Sequence, residues 1–71
     1  MEISTLTFGE FIKNARIARG MTQQEVAVRA NVEQAYLSKV ERGVREPSLG
    51  IALRICQALN LDINDFVYQT T

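Results

Sequence analysis

Paired start signals for α-helices recur along the sequence, and they limit what this chain can fold into. In "LTFGEF", Thr7 stands three residues before Glu10, and "MTQQEV" repeats the spacing with Thr22 and Glu25. Such a pair forms a capping box, in which each side chain accepts a hydrogen bond from the backbone amide of the other residue. Two further starts are predicted at Ser48, after Pro47, and at Asp62, with Asp65 as its partner.

Stop signals close the same segments. Glycine and asparagine favour the left-handed conformation that ends many helices, and they occur here at Gly20, Asn31, Gly43 and Asn60. We predict helices at about 7–19, 22–30, 33–42, 48–59 and 62–67. Only "NV" separates the second from the third, so these two helices must cross steeply, as in a helix-turn-helix. The predicted fold class is all-α, a compact five-helix bundle forming one domain over residues 1–71.

Composition excludes several functions. The chain has 71 residues, no histidine and one cysteine, so it offers neither metal-ligand spacing nor an intrachain disulfide. Without the usual acid–base and nucleophilic groups we expect no enzyme activity, cofactor or metal, and we find no evident small-molecule ligand. No run approaches the roughly 18 apolar residues of a membrane span. We expect a cytoplasmic protein of bacterial, phage or plasmid origin.

The net charge is zero, but the charges are unevenly distributed. Between Lys13 and Arg45 there are seven basic and three acidic residues, which leaves +4. After Arg54 the charged residues are Asp62 and Asp65. The middle of the chain is therefore basic and its end acidic, a distribution that suits contact with an anionic partner.

Glu41 is unexpected on the third helix. At about 100° per residue it lies within about 40° of Leu37, on the apolar side. A carboxylate there needs a partner unless it reaches solvent at the helix end, and a guanidinium is the best one. Cys56 is expected in the core with eight apolar side chains: Phe8, Ile12, Val26, Leu37, Val40, Leu49, Leu53 and Leu59.

The segment "MTQQEVAVRANVEQAYLSKVERGVREPSL" resembles the helix-turn-helix of the phage repressor and Cro family, also called the XRE type. "RICQALNLDINDF" matches the family's fourth and fifth helices, so the resemblance covers about residues 8–67. Among small members the chain is most similar to free-standing regulators such as restriction–modification controller proteins. Phage and plasmid repressors and antitoxins are close alternatives.

The resemblance implies a transcriptional regulator that binds a double-stranded DNA operator. Its helix-turn-helix would span about residues 22–42, with the third helix in the major groove. Arg16 would pair with the buried Glu41. Base contacts would come from Gln34, Ala35, Ser38, Lys39 and Glu33. Backbone contacts would come from Thr22, Gln23, Tyr36, Arg42 and Arg45.

Two positions stay open. Glu33 stands where the family usually has Ser, Thr or Asp. It either accepts a hydrogen bond from a cytosine amino group, or it costs affinity and helps to reject wrong sites. Arg42 either contacts DNA or forms a surface ion pair with Glu46. A module whose main partner is another protein, including an antitoxin-type regulator, is the alternative function.

The apolar residues near the end of the chain predict a homodimer. One recognition helix covers few bases, and paired half-sites on a palindromic operator need two copies. The fifth helix is too short to hide its apolar side chains on one face. We therefore expect a dimerisation end at about residues 51–68, formed by Ile63, Phe66, Val67 and Tyr68, with Ile51 or Ile55 beside them.

Overall fold

The computed structural model describes residues 6–70, with side chains up to Phe66 in the last helix. Five helices follow one another: α1 (Phe8–Ala18), α2 (Gln23–Ala30), α3 (Gln34–Glu41), α4 (Leu49–Ala58) and α5 (Ile63–Thr70). The described part of the chain contains no strand. The all-helical fold is therefore confirmed. The bounds of α1 to α4 differ from the prediction by at most one residue, whereas α5 ends three residues later than predicted.

The predicted capping boxes of α1 and α2 are present. Glu10 Oε1 accepts from the Thr7 amide at 3.0 Å, and Thr7 Oγ1 accepts from the Glu10 amide at 3.1 Å. Thr22 and Glu25 form the same pair at 2.8 and 3.1 Å. The backbone amides of Thr7 and Thr22 stabilise the ionised carboxylates and so lower the pKa of Glu10 and of Glu25.

The other two starts differ from each other. Ser48 Oγ accepts from the Ile51 amide at 3.3 Å, as a simple N-cap does. Asp62 Oδ1 accepts a hydrogen bond from the amide of Asn64, two residues later, at 2.9 Å. This bond replaces the capping box that was predicted between Asp62 and Asp65. The four predicted stop residues all have positive φ, between 58° and 76°.

The first four helices form the core. Both α1 and α2 pack on α3, and α2 also packs on α4. The fully buried larger side chains of the core are Ile12, Val26, Leu37, Val40, Ile55, Cys56 and Leu59. Phe8 is half-buried and packs against this core. The prediction that Leu49 and Leu53 lie in the core is wrong, because these residues are 69% and 39% exposed. Leu53 lies about 100° around α4 from the inward Ala52, and Leu49 lies in the first turn.

Gly9 allows α1 to lie directly on the end of α3. A Cβ at this position would overlap the carbonyl oxygen of Val40 and lie 2.9 Å from that of Glu41. Any larger residue would therefore push α1 away from the helix that carries Glu41.

Candidate nucleic-acid interface

Glu41 ends α3 and is held by two other helices. Arg16 of α1 donates from Nε to Glu41 Oε2 at 2.8 Å and from Nη2 to Oε1 at 3.0 Å. Gln23 of α2 donates from Nε2 to the same Oε1 at 3.0 Å. The Glu41 side chain is 2% exposed and that of Arg16 13%, so solvent screens this ion pair weakly.

Arg16 also uses the third nitrogen of its guanidinium. Its Nη1 donates to the carbonyl oxygen of Met21, just before α2, at 3.0 Å. The hydrogen bonds that Arg16 donates to the Glu41 carboxylate raise the pKa of Arg16 above its usual value. Among the described residues no buried side-chain nitrogen or oxygen lacks a hydrogen-bond partner. One carboxylate thus ties α1, α2 and α3 together at the base of the helix-turn-helix.

The opposite side of α3 is open to solvent. Glu33, Gln34, Ala35, Lys39 and Arg42 are exposed, and Ser38 is half-buried. Five of these six side chains can donate or accept hydrogen bonds, and Ala35 offers a methyl group. The inner face of the same helix is closed by Leu37, Val40 and Glu41. The proposed base-contacting residues are therefore accessible to a partner, whereas Leu37, Val40 and Glu41 are not.

Glu33 occupies the N-cap position of α3 without acting as a side-chain cap. Its backbone is extended, and its carboxylate accepts no capping hydrogen bond. The exposed carboxylate can therefore accept a bond from outside the protein.

The candidate backbone-contacting residues differ in the hydrogen bonds that they already form. The Thr22 hydroxyl accepts from the Glu25 amide, and Gln23 already holds Glu41 through its amide nitrogen. Arg42 Nε donates weakly to the carbonyl oxygen of Ser38 at 3.4 Å. Within residues 6–66, the ion pair closer than 4.0 Å is that of Arg16 with Glu41, so Arg42 does not form one with Glu46.

Tyr36 and Arg45 meet on one flank of α3. The guanidinium carbon of Arg45 lies 5.8 Å from the centroid of the Tyr36 ring, over its face. Together with Glu33, Lys39 and Ile51 they line an open groove beside the helix.

Sequence reasoning missed the part played by Arg54 of α4. Its Nε donates to the carbonyl oxygen of Ala30 and its Nη2 to that of Asn31, both at 3.0 Å. These are free carbonyls at the end of α2, where the turn of the helix-turn-helix begins. No local pattern could reveal this contact, since the partners lie 24 and 23 residues earlier in the chain.

The residues predicted at the dimer interface have different surroundings. Phe66 packs its ring against Phe8 and Phe11, with centroids 5.6 and 5.4 Å apart, and so helps to close the core. Ile63 is half-buried. Ile55 is fully buried and cannot form an outer surface, so its prediction as part of the dimer interface is wrong. The side chains of Val67 and Tyr68 lie outside the described residues.

A mainly apolar groove of about 350 Å³ lies at this end of the molecule. Its lining includes Leu49 and Ala52 of α4, Ile63 and Phe66 of α5, and the segment 45–47 that precedes α4. The exposed Leu49, which was predicted in the core, therefore contributes to an outer apolar surface.

Two other structural features are absent from the described residues. None of their helices is both long and apolar enough to pass through a bilayer. They also contain no group of three or more His, Cys, Asp or Glu side chains arranged to hold a metal ion.

Comparison with known proteins agrees with this geometry. A family model described as helix-turn-helix matches residues 12–66. The chain belongs to this helix-turn-helix family. The transcriptional regulator ClgR of Mycobacterium tuberculosis is 41% identical over 56 residues, which are 79% of this chain and 50% of that protein. The chain thus spans about half the length of the curated relatives that it matches first.

Two crystal structures share the fold over most of the chain. The restriction–modification controller protein C.AhdI from Aeromonas hydrophila superposes with a TM-score of 0.81 at 29% identity, covering 87% of this chain and 94% of that one. The clp gene regulator ClgR from Corynebacterium glutamicum superposes with a TM-score of 0.85, also at 29% identity, covering 93% and 70%. The expected similarity to phage-repressor-type regulators and controller proteins is confirmed.

Proposed function

We propose that the protein is a transcriptional regulator that binds a specific double-stranded DNA operator as a homodimer. In this proposal α3 enters the major groove, and Gln34, Ala35, Ser38 and Lys39 meet base edges. Gln34 offers a bidentate pair of groups for adenine, and Lys39 a donor for guanine. Regulation needs no enzymatic step, metal or cofactor, and the protein acts in the cytoplasm, where its DNA lies.

The division of α3 into a fixed face and a free face carries this proposal. The fixed face holds a carboxylate bonded by Arg16 and Gln23, so the helix has little freedom to rotate. The free face offers hydrogen-bonding side chains of several kinds. A rigid helix that displays such groups suits the reading of base edges, which requires the donors to be held in place.

Charge supports DNA as the partner. The Arg16–Glu41 pair neutralises itself, which leaves six basic and two acidic residues between Lys13 and Arg45, still +4. The N-terminus of α2 adds free backbone amides and a positive dipole end beside Thr22, a suitable position for a phosphate. Thr22, Gln23, Arg42 and Arg45 would then position the protein on the backbone, which carries no sequence information.

A two-fold dimer would join at the apolar groove between α4 and α5. Such a contact requires one surface that is complementary to itself. The exposed Leu49 lines this groove together with Ile63 and so extends the predicted patch, and Phe66 supports it from within. Asp62 and Asp65 at this end would lie away from the phosphates.

A comparison of Gln34→Ala with Arg42→Ala tests the proposal, because both residues are exposed on α3 or at its end. Duplexes bound by each variant would be selected from a random pool and sequenced. We expect Gln34→Ala to change the preferred base at one position in each half-site, where discrimination of about 1–3 kcal/mol is lost. Arg42→Ala should keep the base preference of the wild type and lower the affinity for all duplexes alike. It should also reduce the steepness of log affinity against log salt concentration by about 1. The same unchanged preference in both variants would contradict the role of Gln34.

A further inference from the structure

The segment after α3 is bonded to the end of that helix. The amides of Val44 and Arg45 both donate to the carbonyl oxygen of Lys39, at 2.9 and 3.3 Å. Gly43 makes this reversal possible, because its φ of 76° is unfavourable for other residues. The backbone of Arg45 is therefore held against the recognition helix, and its remaining freedom lies in the side chain.

The Tyr36 ring limits that freedom. The Arg45 guanidinium lies over its face at 5.8 Å from the centroid, within the range of a cation–π interaction. Tyr36 is half-buried and packs against the core, so the ring itself has little room to move. The cation thus lies near an aromatic ring that is anchored on the core.

The guanidinium keeps its hydrogen-bonding capacity in this position. Within the described residues, the side chain of Arg45 donates no hydrogen bond and forms no ion pair. Its five N–H donors are therefore available for a ligand. A cation–π contact uses the face of the guanidinium and leaves its edge free, and the edge is what binds phosphate.

We propose that Tyr36 is a positioning residue, whose ring holds Arg45 in place to bind a DNA phosphate beside the recognition helix. This inference rests on the proposed function and adds to it a specific role for the ring. It differs from a direct contact between the Tyr36 hydroxyl and DNA, because the hydroxyl has no part in it. An arginine that is already oriented loses less conformational freedom on binding, and the benefit appears in affinity.

The proposal makes the effect of Tyr36 depend on Arg45. A cation–π contact at an exposed site corresponds to about a two- to fivefold change in affinity. We expect Tyr36→Leu to weaken binding by this factor when Arg45 is present and to have no effect in an Arg45→Ala background. Tyr36→Phe, which keeps the ring and removes the hydroxyl, should lose less affinity than Tyr36→Leu does, and its affinity should still depend on Arg45.

The experiment is a double-mutant cycle on DNA affinity. It uses the full chain, the duplex recovered by selection and a scrambled duplex of the same composition, and thermal melts check that each variant is folded. Because the contact is to backbone, the coupling should appear with both duplexes.

Three results would overturn the proposal. Equal losses from Tyr36→Phe and Tyr36→Leu would assign the effect to the hydroxyl. An undiminished effect of Tyr36→Leu in the Arg45→Ala background would make the two residues independent, and an Arg45→Ala variant of unchanged affinity would remove Arg45 from the interface. If the wild type itself binds neither duplex, the proposed function fails, a result distinct from the loss of coupling alone.

Discussion

At the scale of single residues, the carboxylate of Glu41 organises the recognition helix. It accepts three hydrogen bonds, two from Arg16 and one from Gln23, in a site that excludes most water. A buried charge without its partner is costly, whereas an exposed pair contributes little.

Arg16→Ala should therefore destabilise the protein by about 3–5 kcal/mol, because Glu41 loses two of its three donors while it stays buried. Arg19→Ala is the matched control on the same helix end, since Arg19 is exposed and donates to the Ala15 carbonyl alone. Its effect should stay within about 0.5 kcal/mol. Chemical denaturation of both variants measures the difference. An Arg16→Ala midpoint close to that of the wild type would mean that Glu41 is solvated in solution.

A contact of a single residue could be predicted from the sequence only where the residue has an unusual position in its local pattern. The position of Glu41 on the apolar side of α3 indicated a buried carboxylate that needs a cation. The resemblance indicated that Arg16 is its partner. The contacts of Arg54 could not be predicted in this way, because its partners are backbone carbonyls of a turn that is distant in the sequence.

At the scale of elements, helix starts and stops were predictable because caps are local chemistry. Thr7, Thr22 and the residues with positive φ act within a few positions of themselves. The faces of α4 were harder to predict. Leu49 and Leu53 are as apolar as core residues, and which apolar side chains become buried depends on where the neighbouring helices lie.

Gly9→Ala tests the close contact between α1 and α3. The added Cβ would overlap backbone oxygens at the end of α3, which cannot move aside as a flexible side chain can. We expect a loss of about 3 kcal/mol in the free energy of unfolding. Gly50→Ala is the matched control, because Gly50 is also the second residue of its helix but has open space around it.

The control should be neutral or should stabilise by up to about 1 kcal/mol, since alanine favours the helix more than glycine does. Thermal melts of the two variants provide the comparison. Equal melting temperatures would show that α1 does not approach α3 as closely as described.

At the scale of the whole molecule, the proposed dimer can be separated from the stability of the monomer. Leu49→Asp places a charge on an exposed side chain of the apolar groove, and Ile63→Asp does so at a half-buried one. Both should give folded monomers that bind a palindromic operator far more weakly. Val28→Asp is the control, because Val28 is as exposed as Leu49 but does not line the groove. Sedimentation at tens of micromolar that shows a wild-type monomer, or variants that remain dimers, would contradict this arrangement.

The salt dependence of DNA binding tests the central claim most directly. Arg42 and Arg45 of each protomer offer about four phosphate contacts in a dimer, and each neutralised phosphate releases counterions. The affinity of the wild type for its selected duplex should fall about a hundredfold between about 50 and 200 mM salt. Absence of binding to any selected duplex at low salt, or an affinity that salt leaves unchanged, would contradict the account.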